Sequence, residues 1–447
     1  MKKVFFSIPA MLAFALFAET PHVDSDMVSV VRGGNGTTVK ISYTLTGEPA
    51  VVTIDLQTNT LSDASGEWVS INGEGMGFLG GEANKVVYEL GGPVDAYWFP
   101  PASFSAGISA GGLRGVVKAW PTNSPPDYMA VNLTGAKNVV RFYESTALLP
   151  GGFANPEYKT TILLMRKIPA AGVVWRMGMP DDEYYASSNA VTHKVMLTED
   201  YYAGVYEMTQ GQLTALGGSN ESSFQGYDDS PFRPAERVKH FTMRGQSWSD
   251  STYCWPEKGH DVSATSVLGV LRARCGIADM DFPTEAQWEY ACRAGKGTSL
   301  YNGTKLDKTA PAIASLNQIA VTLNNATDPV HGVKMPYVAG SKTPNAWGLY
   351  DMLGNVYEMC LDRSGVNANL EAYKQTLTPG WETGAVTTNP AGVASTSVQR
   401  LIKRGGAWMD TVDYCTCGVR ADGSINYQGA EGYIGCRFFC SVKEAVK

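Results

Sequence analysis

The eight cysteines of this 447-residue chain divide it into two unlike parts, because none of them precedes position 254. At roughly 150 residues per domain, the length allows two or three domains. We therefore expect a cysteine-free N-terminal part and a C-terminal part in which sulfur contributes to the fold. The cysteines lie at positions 254, 275, 292, 360, 415, 417, 436 and 440.

The first residues have the layout of a secretory signal peptide. Lys2 and Lys3 precede an apolar run over residues 4–17, which ends in small residues at Ala18. This run is too short to span a membrane, and no nearby cysteine could take a lipid anchor. We assign residues 1–18 to a signal peptide and expect an exported protein, periplasmic or extracellular, without a membrane span. Disulfides are the usual state of cysteines in such compartments.

Composition limits the possible functions and the kind of fold. The chain has 36 basic and 43 acidic residues and a net charge of −7, which disfavours nucleic acid as a partner. With 48 Gly and 23 Pro against only 18% charged residues, the composition indicates short strands joined by many turns. Long helices are not expected.

Residues 24–158 show the pattern of an all-β domain. Val39, Ile41, Tyr43 and Leu45 alternate with polar residues, which is the period-two pattern of a half-buried strand. Several short strands separated by Pro, Gly and Ser predict a β-sandwich of the immunoglobulin or fibronectin type. A structural or adhesive role is the interpretation for this domain, with carbohydrate or protein binding as the alternative. The other candidate strands are 52–56, 85–90, 115–120, 128–133 and 139–143.

A short helix is predicted near residue 285. Thr284 and Gln287 form the sequence pattern of a capping box, in which each side chain hydrogen-bonds to the backbone of the other residue. Trp288 and Cys292 share one face at the i, i+4 spacing. Gly295 marks the expected end of a helix of about ten residues.

Eight segments in the C-terminal part occur together in a recognisable order. They are 177–178 (MG), 193–197 (HKVML), 206–209 (YEMT), 282–290 (FPTEAQWEY), 345–358 (NAWGLYDMLGNVYE), 404–408 (RGGAW), 415–420 (CTCGVR) and 435–437 (GCR). In order and spacing this part resembles the formylglycine-generating enzyme (sulfatase-modifying factor) family over residues 160–443. The resemblance implies an α+β domain with a C-type-lectin-like fold, preceded here by the all-β sandwich.

The resemblance also locates a catalytic centre that this chain is expected to lack. Members of the family convert a sulfatase cysteine into an aldehyde-bearing residue with copper and oxygen, using two cysteines five positions apart. Those positions correspond to Asp410 and Cys415. Cu(I) prefers soft thiolates, whereas a carboxylate is a hard ligand. We therefore expect no bound copper and no catalytic residue of this kind; a repositioned pair of Cys415 with Cys417 stays open.

The family pattern further implies that the cysteines are structural. Non-oxidase members often carry cysteines at the positions of Cys360 and Cys415, which suggests a disulfide between them. The other implied pairings are Cys292 with Cys417, and Cys275 with Cys440 or Cys436.

A calcium site is implied at the loop 351–358. Calcium takes six to eight oxygen ligands, from carboxylates and backbone carbonyls. The resemblance gives the side chains of Asp351 and Glu358 and the carbonyls of Gly354 and Val356 as ligands. The alternative is that the two carboxylates only cap turns or pair with arginines. A second calcium site of the family is expected to be lost, because Ser315 and His331 stand at its approximate positions.

The remaining polar residues are interpreted as architectural. Arg404, Arg420 and Arg437 stand beside glycine turns or in final strands, where a guanidinium can bind several loop carbonyls. The alternative is binding of a substrate anion. His193 is interpreted as a structural histidine.

Three functions are compatible with these features. The favoured one is an exported binding or scaffold module that recognises a protein or a carbohydrate through the loops 218–262 and 365–398. The alternative is an active or divergent formylglycine-generating oxidase acting on a sulfatase cysteine. The third is a displayed variable-ligand protein of the same fold.

Overall fold

The structure is a computed structural model that describes residues 19–33, 38–61, 65–72, 78–101, 112–135, 139–179, 183, 191–245, 261–307, 309–364, 384–390, 400–424 and 431–447. The predicted signal peptide, Cys254 and most of the loop 365–398 lie outside these residues.

Strands account for most of the regular structure in the described residues. The first eleven are β1 His22–Val23, β2 Ser29–Arg32, β3 Val39–Thr46, β4 Ala50–Asn59, β5 Trp68–Ser70, β6 Phe78–Gly81, β7 Lys85–Val87, β8 Pro93–Phe99, β9 Leu113–Pro121, β10 Tyr128–Asn132 and β11 Val140–Tyr143. The next ten are β12 Ile162–Ile168, β13 Val174–Met177, β14 His193–Met196, β15 Tyr201–Gly204, β16 Tyr357–Ser364, β17 Val386–Thr388, β18 Arg400–Arg404, β19 Arg420–Ser424, β20 Ile434–Gly435 and β21 Phe439–Ser441.

The α-helices are short, as the composition predicted. They are α1 Gln210–Ala215, α2 His240–Arg244, α3 Val267–Cys275, α4 Glu285–Arg293, α5 Ala310–Ile319 and α6 Val442–Ala445. The longest of these, α5, has 10 residues. No helix in the described ranges has the length and apolar character needed to cross a membrane.

The N-terminal region is a sandwich of two antiparallel sheets. One sheet has the order β1-β3-β8-β6 with β2 also paired to β3, and the other has the order β5-β4-β7 with β9 also paired to β4. Val39, Ile41, Tyr43 and Leu45 of β3 all point into the shared core and are at most 2% exposed. The period-two prediction for this strand is therefore confirmed.

Two strands predicted for the sandwich lie in a different sheet. β10 pairs with both β11 and β12, in the order β11-β10-β12-β15-β21. Met129 and Val131 of β10 pack with Met165 of β12 in one core cluster. The local pattern identified these segments as strands, but their pairing partner is set by residues beyond 160.

The C-terminal domain combines that sheet with two smaller ones. β13-β14-β17 form one, and β19-β18-β16-β20 form the other. The predicted capping box of α4 is confirmed, because Thr284 and Gln287 each hydrogen-bond to the other's backbone. The helix ends at Arg293; Ala294 caps it with a left-handed φ of 44° and is followed by Gly295, the residue predicted to mark the end.

The sandwich packs directly against the C-terminal sheet. The amide of Phe142 in β11 donates to the carbonyl of Asn84 at 2.7 Å. Val51 of β4 is buried in the same cluster as Phe142 and Met129. The two parts of the chain therefore share an apolar contact as well as a hydrogen bond.

Candidate functional site

A glycine turn after β18 positions the two residues at which a copper centre would be expected. Gly405 and Gly406 have φ values of 96° and 74°, which favour glycine. A Cβ on Gly406 would lie 2.5 Å from the Cys415 Sγ, so no larger residue fits there. The amide of Gly354 donates to the carbonyl of Gly405 at 2.8 Å and joins this turn to the loop 351–358.

Asp410 lies in a polar, partly buried environment. Its carboxylate accepts a hydrogen bond from the Tyr357 side chain and lies near the Lys403 ammonium, and its backbone amide donates to the Ala407 carbonyl at 3.0 Å. Burial raises the pKa of Asp410 above its usual value. One carboxylate oxygen, Oδ2, is buried without a hydrogen-bond partner.

Lys403 provides the positive charge beside Asp410. Its Nζ lies 4.4 Å from the ring centre of Tyr357 and 4.8 Å from that of Tyr433, so it contacts two aromatic faces. The Glu431 carboxylate lies 3.7 Å from the same Nζ. Burial lowers the pKa of Lys403. This arrangement is an aromatic and ionic cluster in which Asp410 already has partners.

Cys415 is fully buried beneath this cluster. Burial, and then the charge of Asp410, raise the pKa of its thiol above the ordinary value. Because the thiolate is the form that attacks electrophiles and binds metals, the thiol is in its unreactive form at neutral pH.

Cys417 lies next to Cys292. The two Sγ atoms are 3.5 Å apart, and the Cys417 amide donates to the Ser299 carbonyl at 2.8 Å. Cys415 and Cys417 follow the 3₁₀ turn Val412–Tyr414 in irregular backbone, so they do not share a strand face. The repositioned pair of Cys415 with Cys417 has no support in this geometry.

The seven described cysteines are free thiols in the structure. Two expected pairings nevertheless involve neighbours: Cys292 with Cys417, and Cys275 with Cys440, whose charge interaction contributes to the raised pKa of Cys440. Cys360 is fully buried in the same core cluster as Cys415, and its thiol pKa is raised by burial and then by the charges of Asp362 and Glu285. The disulfides implied by the resemblance stay predictions.

The donor set at positions 410 and 415 does not fit copper. It consists of one buried, protonated thiol and one carboxylate that is hydrogen-bonded to Tyr357. Cu(I) selects soft sulfur donors, and a carboxylate is a hard one.

The loop 351–358 holds the predicted calcium ligands in a tight turn. Asp351 and Asn355 have left-handed φ values of 55° and 60°. Asp351 is buried; its Oδ2 accepts from the Gly340 amide at 2.6 Å, and its Oδ1 has no hydrogen-bond partner. Burial raises the pKa of Asp351 to about 6. Of the two predicted carboxylate ligands, Asp351 therefore has one oxygen without a hydrogen-bond partner.

Glu358 does not fit the role of a calcium ligand in this geometry. Its oxygens accept hydrogen bonds from Arg437 at 2.6 and 3.0 Å and from the Trp288 indole at 2.7 Å. Among the residues that the structure describes, no group of three His, Cys, Asp or Glu side chains is arranged to hold a metal ion. The geometry at Glu358 is that of the alternative interpretation, an arginine pair.

A further buried carboxylate beside this loop was missed in the sequence. Glu207 accepts from the Val356 amide at 3.0 Å and from the Asn355 side chain at 2.7 Å. Burial, followed by the charges of Asp351 and Glu358, raises its pKa well above the ordinary value. The segment 206–209 was noted only as one of the segments that resemble the family. No local sequence pattern indicated that Glu207 contacts residues almost 150 positions away.

The arginines behave as predicted. Arg404 donates to the carbonyls of Cys417, Gly418 and Val419 and pairs with Glu289. Arg437 donates to the carbonyls of Gly204, Val205 and Tyr350. Arg420 pairs with Glu285 at the start of α4.

The other residues singled out in the sequence have ordinary partners. The Nδ1 of His193 lies 2.9 Å from the Val191 carbonyl, and burial lowers the pKa of this histidine. Ser315 hydrogen-bonds with Asn302 at 2.8 Å, and His331 Nε2 lies 3.2 Å from Asp229.

The sulfatase-modifying factor enzyme 1-like domain family matches residues 145–440. The chain belongs to this family. The resemblance found in the sequence is thereby confirmed, and with it the α+β, C-type-lectin-like class of the C-terminal domain. The match begins before the predicted boundary at 160, and no family is assigned to the sandwich.

Similar proteins include enzymes and a chaperone. The mouse (Mus musculus) formylglycine-generating enzyme is 25% identical over 304 residues, covering 63% of this chain and 75% of the enzyme. The chaperone protein LppX of Paenibacillus barcinonensis is 28% identical over 209 residues, covering 40% and 67%. The structure of PvdO from Pseudomonas aeruginosa is similar with a TM-score of 0.46 at 22% identity, covering 62% of this chain and 94% of PvdO.

Proposed function

We propose that this protein is an exported binding or scaffold protein whose family domain lacks the two-cysteine copper centre. The observation that carries the proposal is the state of Asp410. A carboxylate stands at the first thiolate position, and it is hydrogen-bonded to Tyr357 beside Lys403. A site arranged around these charges has no place for a second soft ligand.

The buried state of Cys415 supports the same conclusion. A catalytic thiol has to reach its substrate as a thiolate, but Cys415 is fully buried and its pKa is raised. The nearby Cys417 faces Cys292 instead. One relative is named a chaperone, a kind of protein that binds other proteins, which also favours binding over oxidation.

The second candidate function is oxidation of a sulfatase cysteine. The mouse and bovine relatives carry the name of that enzyme, at 25% and 26% identity. For this chain the candidate needs a second thiol to act together with Cys415, because a carboxylate stands at position 410.

The decisive experiment offers the purified protein a Cys-x-Pro-x-Arg peptide with copper and oxygen, and follows the peptide by mass spectrometry. We expect no conversion of the cysteine to an aldehyde. The matched variant is Asp410→Cys, which restores two thiols five positions apart; we expect it to bind Cu(I) in competition with a chelator, whereas the unsubstituted protein does not. Conversion of the peptide by the unsubstituted protein, lost in Cys415→Ser, would establish the oxidase instead.

Export and partner recognition are further parts of the proposal. The N-terminal sequence of the protein recovered outside the cytoplasm should begin close after Ala18. The ligand surface is proposed to comprise the loops 218–262 and 365–398, with a protein or a carbohydrate as the partner. Of these loops, residues 246–260, 365–383 and 391–398 lie outside the described residues. Calcium binding at Asp351, Gly354, Val356 and Glu358 stays a prediction, and its test is given in the Discussion.

A further inference from the structure

A cavity of about 480 Å³ lies where the sandwich meets the C-terminal sheet. Its floor is formed by Ala130, Val139 and Ile162, from β10, the residue before β11, and β12. Leu79 of β6 lines one side, and Glu157, from the short 3₁₀ helix 156–159, lines another. This volume falls within the range of about 300–1,000 Å³ that is typical of small-molecule sites.

A small residue, Ala130, stands in the middle of the sheet face that lines the cavity. Ala130 lies directly between Arg141 of β11 and Leu164 of β12 in the strand register. Alternate residues of paired strands share a face, so Asn132 and Ile162 continue the same surface. A larger side chain at position 130 would occupy the floor.

The cavity is lined by a cation, an anion and an amide. Arg141 is half-buried, and one of its nitrogens donates to the Val140 carbonyl at 3.0 Å. Burial lowers the pKa of its guanidinium, and the nearby Tyr143 and Glu82 act on that pKa in the opposite direction. A guanidinium partly removed from water binds a planar carboxylate well. Glu157 is exposed at the rim.

Asn132 has a defined orientation at the same rim. Its Oδ1 accepts from the amides of Thr134 and Gly135 at 2.9 and 3.1 Å, so the side-chain oxygen is used by the turn. The amide nitrogen of Asn132 is thus the group left to donate to a ligand. Glu157 can accept from ligand hydroxyls, and Asn132 can donate to them.

We propose that this cavity binds an acidic saccharide, in which a carboxylate contacts Arg141 and ring hydroxyls contact Glu157 and Asn132. The apolar floor would then face the C–H groups of a sugar ring. A free amino acid also carries both charges, but it would fill only part of a cavity of about 480 Å³. The site is separate from the Asp410 cluster and does not depend on the function proposed there.

Calorimetric titration of the full chain with digalacturonic acid tests the proposal, with lactose as the neutral disaccharide and glutamate as the small zwitterion. We expect binding of digalacturonic acid and no detectable binding of the other two. Arg141→Met should weaken binding at least tenfold, and Ala130→Leu should weaken it by filling the floor. Arg114→Met is the matched control, because this exposed arginine of β9 stacks on Trp68 outside the cavity.

Three results would overturn the proposal. They are no binding of digalacturonic acid, equal binding of lactose or glutamate, and binding that is unchanged in both Arg141→Met and Ala130→Leu. Thermal unfolding of each variant distinguishes a lost ligand contact from a lost fold. Arg141→Met removes a charge and Ala130→Leu adds volume. If one of these variants is destabilised, the other still tests the proposal.

Discussion

The sandwich and the C-terminal part fill their cores with different kinds of side chain. The sandwich core is formed by alternating apolar residues of facing sheets, such as Ile41 and Ile54. In the C-terminal part four arginines are among the largest fully buried side chains: Arg233, Arg244, Arg404 and Arg437. None of the largest fully buried side chains in the described sandwich is charged.

The difference follows from where the backbone finds its hydrogen bonds. Paired strands satisfy one another's amides and carbonyls, so a sandwich can fill its core with hydrocarbon. Irregular loops leave carbonyls that need other donors, and a guanidinium with five N–H groups can serve several at once. Arg437 serves Gly204, Val205 and Tyr350 in this way while also pairing with Glu358. The C-terminal fold therefore depends on a few charged side chains, and the sandwich on many small apolar contacts.

The largest effect is expected from removing one of those charges. Arg437→Met leaves the buried Glu358 without its cation, which should lower the free energy of unfolding by about 3–5 kcal/mol in urea denaturation. The double variant Arg437→Met/Glu358→Gln should recover part of the loss, because the uncompensated carboxylate is gone. A loss below about 1 kcal/mol in the single variant would show that the arginine is not what holds these loops.

The second effect concerns pH and the buried Asp362, whose Oδ2 accepts from the Glu285 amide at 2.6 Å. Burial, and then the charge of Glu285, raise the pKa of Asp362 to about 7, against about 3.9 in an unfolded chain. Between these values the folded protein keeps a proton that the unfolded chain has lost. The contribution of this group to stability is therefore fully present at low pH and falls as pH rises towards 7.

The variant Asp362→Asn removes this titration and keeps an oxygen to accept the Glu285 amide. Relative to the unsubstituted protein, we expect the variant to become more stable as the pH rises from 4 to 8, by up to about 3–4 kcal/mol, measured by urea denaturation at both pH values. If the two proteins show parallel pH dependence, Asp362 is ionised in the folded state at neutral pH. Asp362 lies in β16 of the C-terminal part, so the effect should report on that part of the molecule.

A smaller effect is expected in the sandwich core. Ile54→Val removes one methylene group from a side chain that is 1% exposed, which should cost about 0.5–1.5 kcal/mol in the same denaturation measurement. Thr44→Val, on the outer face of β3, is a matched surface control and should change little. A loss as large as that of Arg437→Met would remove the distinction between the two kinds of core.

The sequence predicted what depends on neighbouring residues. The alternation in β3 and the capping box of α4 are local, so both were confirmed. β8 was missed although Val94, Ala96 and Trp98 alternate inward, because it follows Gly91-Gly92 and begins at a proline, which favour a loop. Periodicity thus identified strands where no turn residues interrupted it.

What the sequence could not give were contacts between distant positions. The sheet that contains β10 depends on pairing with β12. The use of Glu358 depends on Arg437, 79 positions away. The proximity of Cys417 to Cys292, 125 positions away, was implied by the family resemblance and not by any local pattern. The candidate metal ligands were all inferred from the loop 351–358. The side chain that pairs with Glu358 is that of Arg437, which lies between β20 and β21.

Removal of calcium distinguishes the long-range pair of Arg437 with Glu358 from the local motif of the loop 351–358, because the two predict opposite results. The motif predicts that chelation destabilises the protein, whereas the arginine pair occupies Glu358 and leaves Asp351 Oδ1 as the unpaired carboxylate oxygen of the two predicted carboxylate ligands. We expect EDTA to shift the melting temperature by less than about 2 °C, equivalent to roughly 1 kcal/mol or less. The Arg437→Met variant is the informative comparison, because freeing Glu358 beside Asp351 should make its melting temperature rise with added calcium but not with magnesium, which requires a stricter octahedral geometry. If EDTA lowers the melting temperature of the unsubstituted protein by several degrees, Glu358 binds the ion in place of Arg437. The loops would then be stabilised by a bound cation as well as by the buried arginines.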